Sequence, residues 1–420
     1  MNVGIIGSGG REHALCLSIK KSKKVKKIYC FPGNAGTSEI AENIEIISSE
    51  FDKIKEFSLN KKIDLIIVGP EKPLVDGIVD FFQDSGINIF GPDKISSQLE
   101  GSKIFTKKIC DQYKIPTAKF GIFKNPKEAL FFLKQAKFPL VIKADGLASG
   151  KGVYICEKKK QASIAIQEIF SGKFGPAKNV LIEEFLRGEE MSYFIISDGT
   201  TIKKFGTAQD HKRVLEGDKG ANTGGMGAYS PSRLLNETLE KKILKKIIKP
   251  TIKALKEMGS DYRGFLYAGL MITDNEPYLI EYNVRMGDPE CQTILPKLKT
   301  DLIDILVSCC SQKLKNIQID WHNKKSLCIV LCSKGYPDKY NNEILIKNFQ
   351  NMKLGKNEFI YHAGTKKKEN KIYSNGGRVI NFVSLSSSYK ESRKRIFNLI
   401  DTLNWTGGFF RKDIGHKVID

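Results

Sequence analysis

The sequence predicts a multidomain protein of mixed class, α/β at its N-terminus and α+β beyond it. Three observations carry that prediction. The chain has 420 residues, more than one core fills comfortably. Its first hundred residues alternate short apolar runs ending in Gly or Pro with helical patterns, as an open parallel sheet requires. Beyond residue 101 the pattern changes to hairpins and glycine loops, and the last segment reads as a compact strand-rich domain.

The elements follow in order. "NVGIIG" is a strand, "REHALCLSIKKS" a helix, and "VKKIYCF", "DLIIVGP" and "INIFGP" are further strands. Their carboxyl ends, "GSGG", "PGNAG", "GPEKPL" and "GPDK", are turn-rich and are all candidates for one crevice, where open sheets bind ligands. A helix carrying "GSKIFTKKICDQY" leads to "FPLVIKADGLASGKGVYI", a strand, a glycine loop and a strand. After another helix come the strands "NVLIEEFL" and "EMSYFIISDG". The stretch "AQDHKRVLEGDKGANTGGMGAYSPS" has no clear period and reads as a long working loop. A helix over 237–258 presents Leu239, Ile243, Ile247 and Ile248 at helical spacing. The hairpin "FLYAGLMITDNEPYLIEYNV" follows, and a final segment runs from "SLCIVLCSKGYP" to "WTGGFFRKDIG".

Composition narrows the function classes. The formal net charge is +21, yet only ten of the 68 basic residues are arginine, and the lysines are spread along the whole chain. Base readers lean on arginine forks and gathered basic stripes, so nucleic acid is not an expected partner. The excess reads as a solvated basic surface with a modest pull on phosphorylated substrates. Nine cysteines without paired spacing suggest reduced thiols. The N-terminus enters a strand directly, so no leader is expected, and no apolar run approaches the ~20 residues of a membrane span. A cytoplasmic protein, monomeric or weakly dimeric, is the expectation.

Several motifs carry chemistry. "GIIGSGGREHA" breaks the dinucleotide pattern at Glu12, and "YCFPGN" offers no acidic residue for a ribose, which argues against nicotinamide or flavin. A phosphate at the Gly9–Gly10 turn remains favoured over a purely structural turn. "KADGLASGKGV" is not a Walker loop, because Asp145 and Gly152 stand at its critical positions. With Lys143 and Lys151 it reads as a closing phosphate flap, or else as a flexible hairpin. "IEEFLRGEEMSY" puts Glu183 and Glu184 at a strand end and Glu189 and Glu190 a few residues on, and "AQDHKR" gathers Asp210, His211, Lys212 and Arg213; either cluster alone could be a solvated bend. In "LIEYNVRMGDPE", alternation places Leu279, Glu281, Asn283 and Arg285 on one face, opposite a core face of Tyr278, Ile280, Tyr282 and Val284. Glu281 and Asn283 can offer hard oxygens to Mg²⁺, and Arg285 can neutralise a phosphoryl group or carboxylate.

Together with "IIVGPEKPLVDGI", "EGSKIFTKK", "NTGGMGAYSP", "HAGT" and "GGRV", these motifs resemble the phosphoribosylamine–glycine ligase family of the ATP-grasp superfamily, nearly end to end. The resemblance implies a substrate-binding domain over 1–101, an ATP-grasp domain over 102–322 with a mobile lid near 119–188, and a C-terminal domain over 323–420. It implies glycine, 5-phosphoribosylamine and ATP as substrates, with Mg²⁺ (or Mn²⁺) as cofactor. Glu281 and Asn283 would ligate the metal, while Arg285, Asp210, His211 and Lys212 would act on the reacting groups. Lys103, Lys143, Lys151, Glu183, Leu186 and Glu190 would hold ATP; Gly9, Gly10, Glu71, Gly224 and Asp288 would hold phosphoribosylamine. Two departures stand out: "YAGLMIT" carries no second carboxylate, and Met286 replaces an aromatic residue. A different ATP-grasp ligase or carboxylase is the alternative, and a basic nucleic-acid binder a distant one.

Overall fold

A computed structural model describes residues 1–147, 152–175 and 179–419. The N-terminal alternation folds as β1 (Asn2–Gly7), β2 (Lys27–Pro32), β3 (Glu42–Asn43), β4 (Leu65–Val68) and β5 (Asn88–Phe90). All neighbours run parallel, in the order β3-β2-β1-β4-β5. The order reverses at β1, so the crevice of this sheet opens beyond the ends of β1 and β4. The turn after β1 needs glycine. Gly7 has φ +121°, and a Cβ there would lie 2.5 Å from Glu12 Cγ.

A smaller antiparallel sheet follows: β6 (Phe120–Phe123), β7 (Leu140–Ala144), β8 (Val153–Cys156) and β9 (Val180–Glu184), ordered β6-β9-β7-β8. Helices Pro126–Phe132 and Lys159–Phe170 cover it and enclose a core of their own around Leu133, Ile142, Ile166 and Ile182.

The remaining strands are β10 (Glu189–Asp198), β11 (Ile202–Asp210), β12 (Arg213–Leu215), β13 (Lys219–Asn222), β14 (Gly227–Ser230), β15 (Arg263–Thr273), β16 (Glu276–Asn283), β17 (Lys325–Ser333), β18 (Glu358–His362), β19 (Thr365–Lys368), β20 (Lys371–Ser374), β21 (Arg378–Ser386) and β22 (Gly408–Phe409). One antiparallel sheet runs β16-β15-β10-β11-β14-β17-β21-β18, with β22 on β17. The C-terminal strands therefore continue the central sheet, because β14 pairs with β17 from Gly227 to Ser230. β15 and β16 turn at Asp274–Asn275, both left-handed (φ +51° and +59°), a geometry that suits strand twist.

Two sequence expectations change. Residues 208–232 are not a loop throughout: β11 reaches Asp210, β12 and β13 pair as a hairpin, and β14 joins the sheet. Strands of three or four residues are too short to display a period of two. The 237–258 helix forms with the expected buried residues, but its middle turn, Leu244–Ile248, is π-helical. Pro250 follows two residues later. Its ring would press on the carbonyl four residues back, and a widened turn relieves that contact.

Candidate active site

The polar face of β16 depends on one extra residue. Leu270 pairs with Leu279 and Gly269 with Glu281, which leaves Ile280 as a bulge. Simple alternation put Leu279 on the polar face and Ile280 in the core, and both assignments are corrected here. Leu279 is buried in the core with Tyr282 and Val284, where it also borders the cleft, while Ile280 is half-buried beside it. Past the bulge, Glu281, Asn283 and Arg285 face a cleft of about 1000 Å³. Gly269 makes room for the row, since a Cβ there would come within 3.2 Å of Glu281 Cγ.

The donors in this row suit a hard divalent cation. Burial opposes the charge of Glu281, but Lys212, Lys143, Lys103 and Arg285 together hold its carboxyl below the ordinary range. Its ion partner is Lys212, whose Nζ lies 3.7 Å from Oε1 and only 2.9 Å from Glu190 Oε2. Glu281 can thus offer an ionised oxygen beside the amide oxygen of Asn283. Among the described residues no cluster of three or more His, Cys, Asp or Glu side chains is built for a metal. A cation here would complete its shell with water and substrate phosphate, the habit of Mg²⁺.

The other wall carries the lysines. Helix Lys103–Gln112 is capped by Ser102, whose hydroxyl also reaches Asp145. Lys103 Nζ donates to the Gly146 carbonyl at 2.8 Å. Glu183, at the end of β9, sits between two buried ammonium groups, Lys143 at 2.7 Å and Lys107 at 2.8 Å. Burial works against its charge, and the two lysines reverse that, keeping the carboxyl low. Lys107 was not singled out from the sequence, yet it stands four residues after Lys103 on one helix face. Leu186 and Glu190 line the cleft beside this triad. Lys151 lies outside the described residues.

Arg285 closes the row against the N-terminal domain. Its guanidinium binds Glu100 at 2.6 Å and approaches Glu71 at 3.3 Å. Glu100 also accepts the Val284 amide at 2.8 Å. Burial pushes this carboxyl up to about 7, ahead of the opposing pull of Arg285. At the β1 turn, the Gly9 amide donates to Glu12 and the Arg11 amide to Asp288. Arg378, from β21, reaches Asp288 and the carbonyl of Gly224, joining the C-terminal strands to the same wall. Neither Arg11 nor Arg378 was singled out; only the quoted "GREHA" and "GGRV" contained their signal. Gly9, Glu71, Gly224 and Asp288 all line the cleft. Gly10 does not, because Asn381 and Gln292 cover it.

The "AQDHKR" residues divide. Asp210 lines the cleft with one buried carboxylate oxygen unpartnered; burial, then the charge of Glu290, push it well up. Lys212 stays charged despite burial, held by Glu190. His211 points away from the cleft into the molecule, where its Nε2 accepts the Gly415 amide at 3.2 Å. Alternation along the chain turns it opposite to its two neighbours. Burial lowers its pKa to about 3, so it is a neutral packing group here. Met286 fills an apolar core position, as a Met-for-aromatic exchange allows.

Comparison with known proteins places this geometry in context. Residues 1–100 match the phosphoribosylglycinamide synthetase N domain, 101–291 its ATP-grasp (A) domain and 326–417 its C domain. Phosphoribosylamine–glycine ligase from Caldanaerobacter subterraneus is 46% identical over 99% of both chains. That from Mesorhizobium japonicum is 43% identical over 100% of this chain and 99% of its own. The crystal structure of phosphoribosylamine–glycine ligase from Thermotoga maritima covers 99% of this chain and 100% of its own, with TM-score 0.86 and 32% identity. A biotin carboxylase from Campylobacter jejuni, solved as a β,γ-ATP complex, shares the fold at TM-score 0.73 and 17% identity, covering 98% and 93%.

Proposed function

The chain belongs to the phosphoribosylglycinamide synthetase family, and from that premise we infer that it ligates glycine to 5-phosphoribosylamine with ATP in purine biosynthesis. The products are glycinamide ribonucleotide, ADP and phosphate. Full-length identity at this level favours that reaction over another ATP-grasp ligase or a carboxylase, which share the fold alone.

The observation that carries the reading is convergence. One cleft is faced by the Glu281–Asn283–Arg285 row, the lysines of the smaller sheet, and the β1 turn of the N-terminal domain. In our reading a glycine carboxylate oxygen attacks the γ-phosphorus of ATP, ADP leaves, and glycyl phosphate forms. The amine nitrogen of phosphoribosylamine then attacks the acyl carbon, phosphate departs, and the nitrogen loses a proton. Such chemistry asks for positioning and charge neutralisation more than for covalent help from side chains. Lys103 and Lys143 face the phosphates, and Glu183 with the backbone near Leu186 faces the adenine edge. Glu190 takes the ribose hydroxyls. Glu281 and Asn283 would hold Mg²⁺ (or Mn²⁺), which would neutralise polyphosphate charge when bound. Arg285, aimed by Glu100 and Glu71, meets the transferring phosphoryl group or the glycine carboxylate. Asp210 and Lys212 hold the amine and the acyl phosphate; Gly9, Glu71, Gly224 and Asp288 border phosphoribosylamine.

No helix among the described residues is long and apolar enough to cross a membrane. The nine cysteines are free, which supports our placing the enzyme in a reducing cytoplasm.

The test is ADP release with ATP, Mg²⁺ and freshly made phosphoribosylamine, with and without glycine, for the native chain and Glu281→Ala. Glycine-dependent release, lost in a folded Glu281→Ala, is expected. Release that ignores glycine would refute the named substrate.

A further inference from the structure

Two motifs remain without a role in that mechanism: the buried His211 and the C-terminal "RKDIGHK". They meet each other. Arg411 is only 1% exposed, and its guanidinium is spent on four contacts. It grips Asp413 with two bonds, at 2.8 Å and 2.7 Å, Asp218 at 2.9 Å, and the Arg213 carbonyl at 2.8 Å. The turn between β12 and β13 is Glu216–Gly217–Asp218, with Gly217 and Asp218 both left-handed (φ +68° and +53°). Each turn residue has a partner in 411–413. Glu216 accepts the Lys412 amide at 3.0 Å, Gly217 donates to Asp413 at 2.8 Å, and Asp218 takes Arg411. From behind, Gly415 donates to His211. The gripped segment is cleft wall: Lys212, Arg213, Asp218 and Asn222 line the cleft, and Lys417 joins them from the C-terminal side.

The carbonyl that Arg411 holds belongs to Arg213, the residue that follows Lys212. We propose that the C-terminal residues Arg411 and Asp413 are positioning residues, which clamp the β12–β13 hairpin and so hold Lys212 between Glu190 and Glu281. This rests on the reading of Lys212 given above. The Lys212 ammonium lies 2.9 Å from one carboxylate and 3.7 Å from the other, and misplacing a reacting group by about 1 Å can cost 10²-fold in rate.

The experiment uses the full chain and the variants Arg411→Met, Asp413→Asn and Lys212→Met, each checked for fold by circular dichroism and melting. In ADP release, Arg411→Met and Asp413→Asn should lower kcat roughly 10- to 100-fold. The KM for ATP should move less than kcat, since of the ATP contacts only Glu190 touches Lys212. In the Lys212→Met background, Arg411→Met should have no further effect on residual kcat, because coupled residues are not additive. Wild-type kcat in folded Arg411→Met or Asp413→Asn, beside an impaired Lys212→Met, would overturn the clamp, as would fully additive losses. Undiminished turnover in Lys212→Met would instead refute the reading of Lys212. Should Arg411→Met not fold, Asp413→Asn decides the question, since it leaves the guanidinium in place.

Discussion

Replacing Glu183 by Gln should damage this protein far more than replacing its neighbour Glu184. The two carboxylates are adjacent on β9, but their surroundings differ completely. Glu183 is 4% exposed and bonded to Lys107 at 2.8 Å and Lys143 at 2.7 Å, themselves 3% and 5% exposed at the side chain. Glu184 is exposed and accepts the Lys119 amide at 2.9 Å. Removing the charge from one member of a buried pair leaves the other uncompensated in a medium that solvates it poorly, at a cost of about 3–5 kcal/mol. Here two ammonium groups lose the same partner, so the upper part of that range applies. That is a large fraction of the ~5–15 kcal/mol by which domains are stable. Glu184→Gln keeps an amide oxygen for Lys119 and should cost under ~1 kcal/mol. The assay is urea unfolding of each variant, with hydrogen exchange on peptides covering β7 and β9 to locate the loss. Glu183→Gln should lose protection across the smaller sheet first, because that sheet has its own core. A third variant, Glu183→Leu with Lys107→Met and Lys143→Met, removes all three charges and should recover most of the stability, though not activity. Equal losses in the two single variants, or no recovery in the triple, would refute the argument from uncompensated burial.

Two further predictions follow from the interface between the N-terminal helix and the C-terminal strands. His13 and His362 are buried there, the His362 amide donating to His13 Nδ1 at 2.8 Å; burial lowers their pKa values to about 3 and about 4, and that of His211 to about 3. The folded state keeps these rings neutral, while the unfolded chain protonates them below an ordinary value of 6.5. Stability is therefore full above about pH 6.5 and falls as pH drops toward 4, by up to about 1.4 kcal/mol per ring per pH unit. Urea midpoints at pH 7.5, 6 and 5 check the trend, and His13→Gln should flatten it; a midpoint independent of pH would contradict it. Gly10→Ala is the second. Its Cβ would lie 2.4 Å from Asn381 Nδ2 and 2.6 Å from Gln292 Nε2, both fully buried, so overpacking should cost about 1–3 kcal/mol. Because Gln292 also bonds Asp288, the KM for phosphoribosylamine should rise together with the loss of melting temperature. An unchanged melting temperature would show that the packing there yields.

Much of this molecule was determined locally. The parallel sheet was legible because each strand is an apolar run punctuated by Gly or Pro, and the β15–β16 hairpin because Asp274–Asn275 suits a left-handed turn. The helix over 237–258 and its buried face followed from period alone. So did the side shared by Glu281, Asn283 and Arg285, since all three lie beyond the bulge and alternate normally from there. What the tertiary structure decided is whatever needs a partner distant in sequence. Leu279 changes face because Gly269 and Leu270, on another strand, leave Ile280 unpaired. Glu183 proves to be a triad member because a helix some 75 residues earlier delivers Lys107 beside it. His211 turns inward and meets Gly415, and Arg411 closes over a hairpin about 200 residues upstream. Spacing along a chain records side-chain direction only while the strand stays regular. It carries no record of which buried charge another will neutralise, because that is settled when separate elements pack and each desolvated group must find its partner.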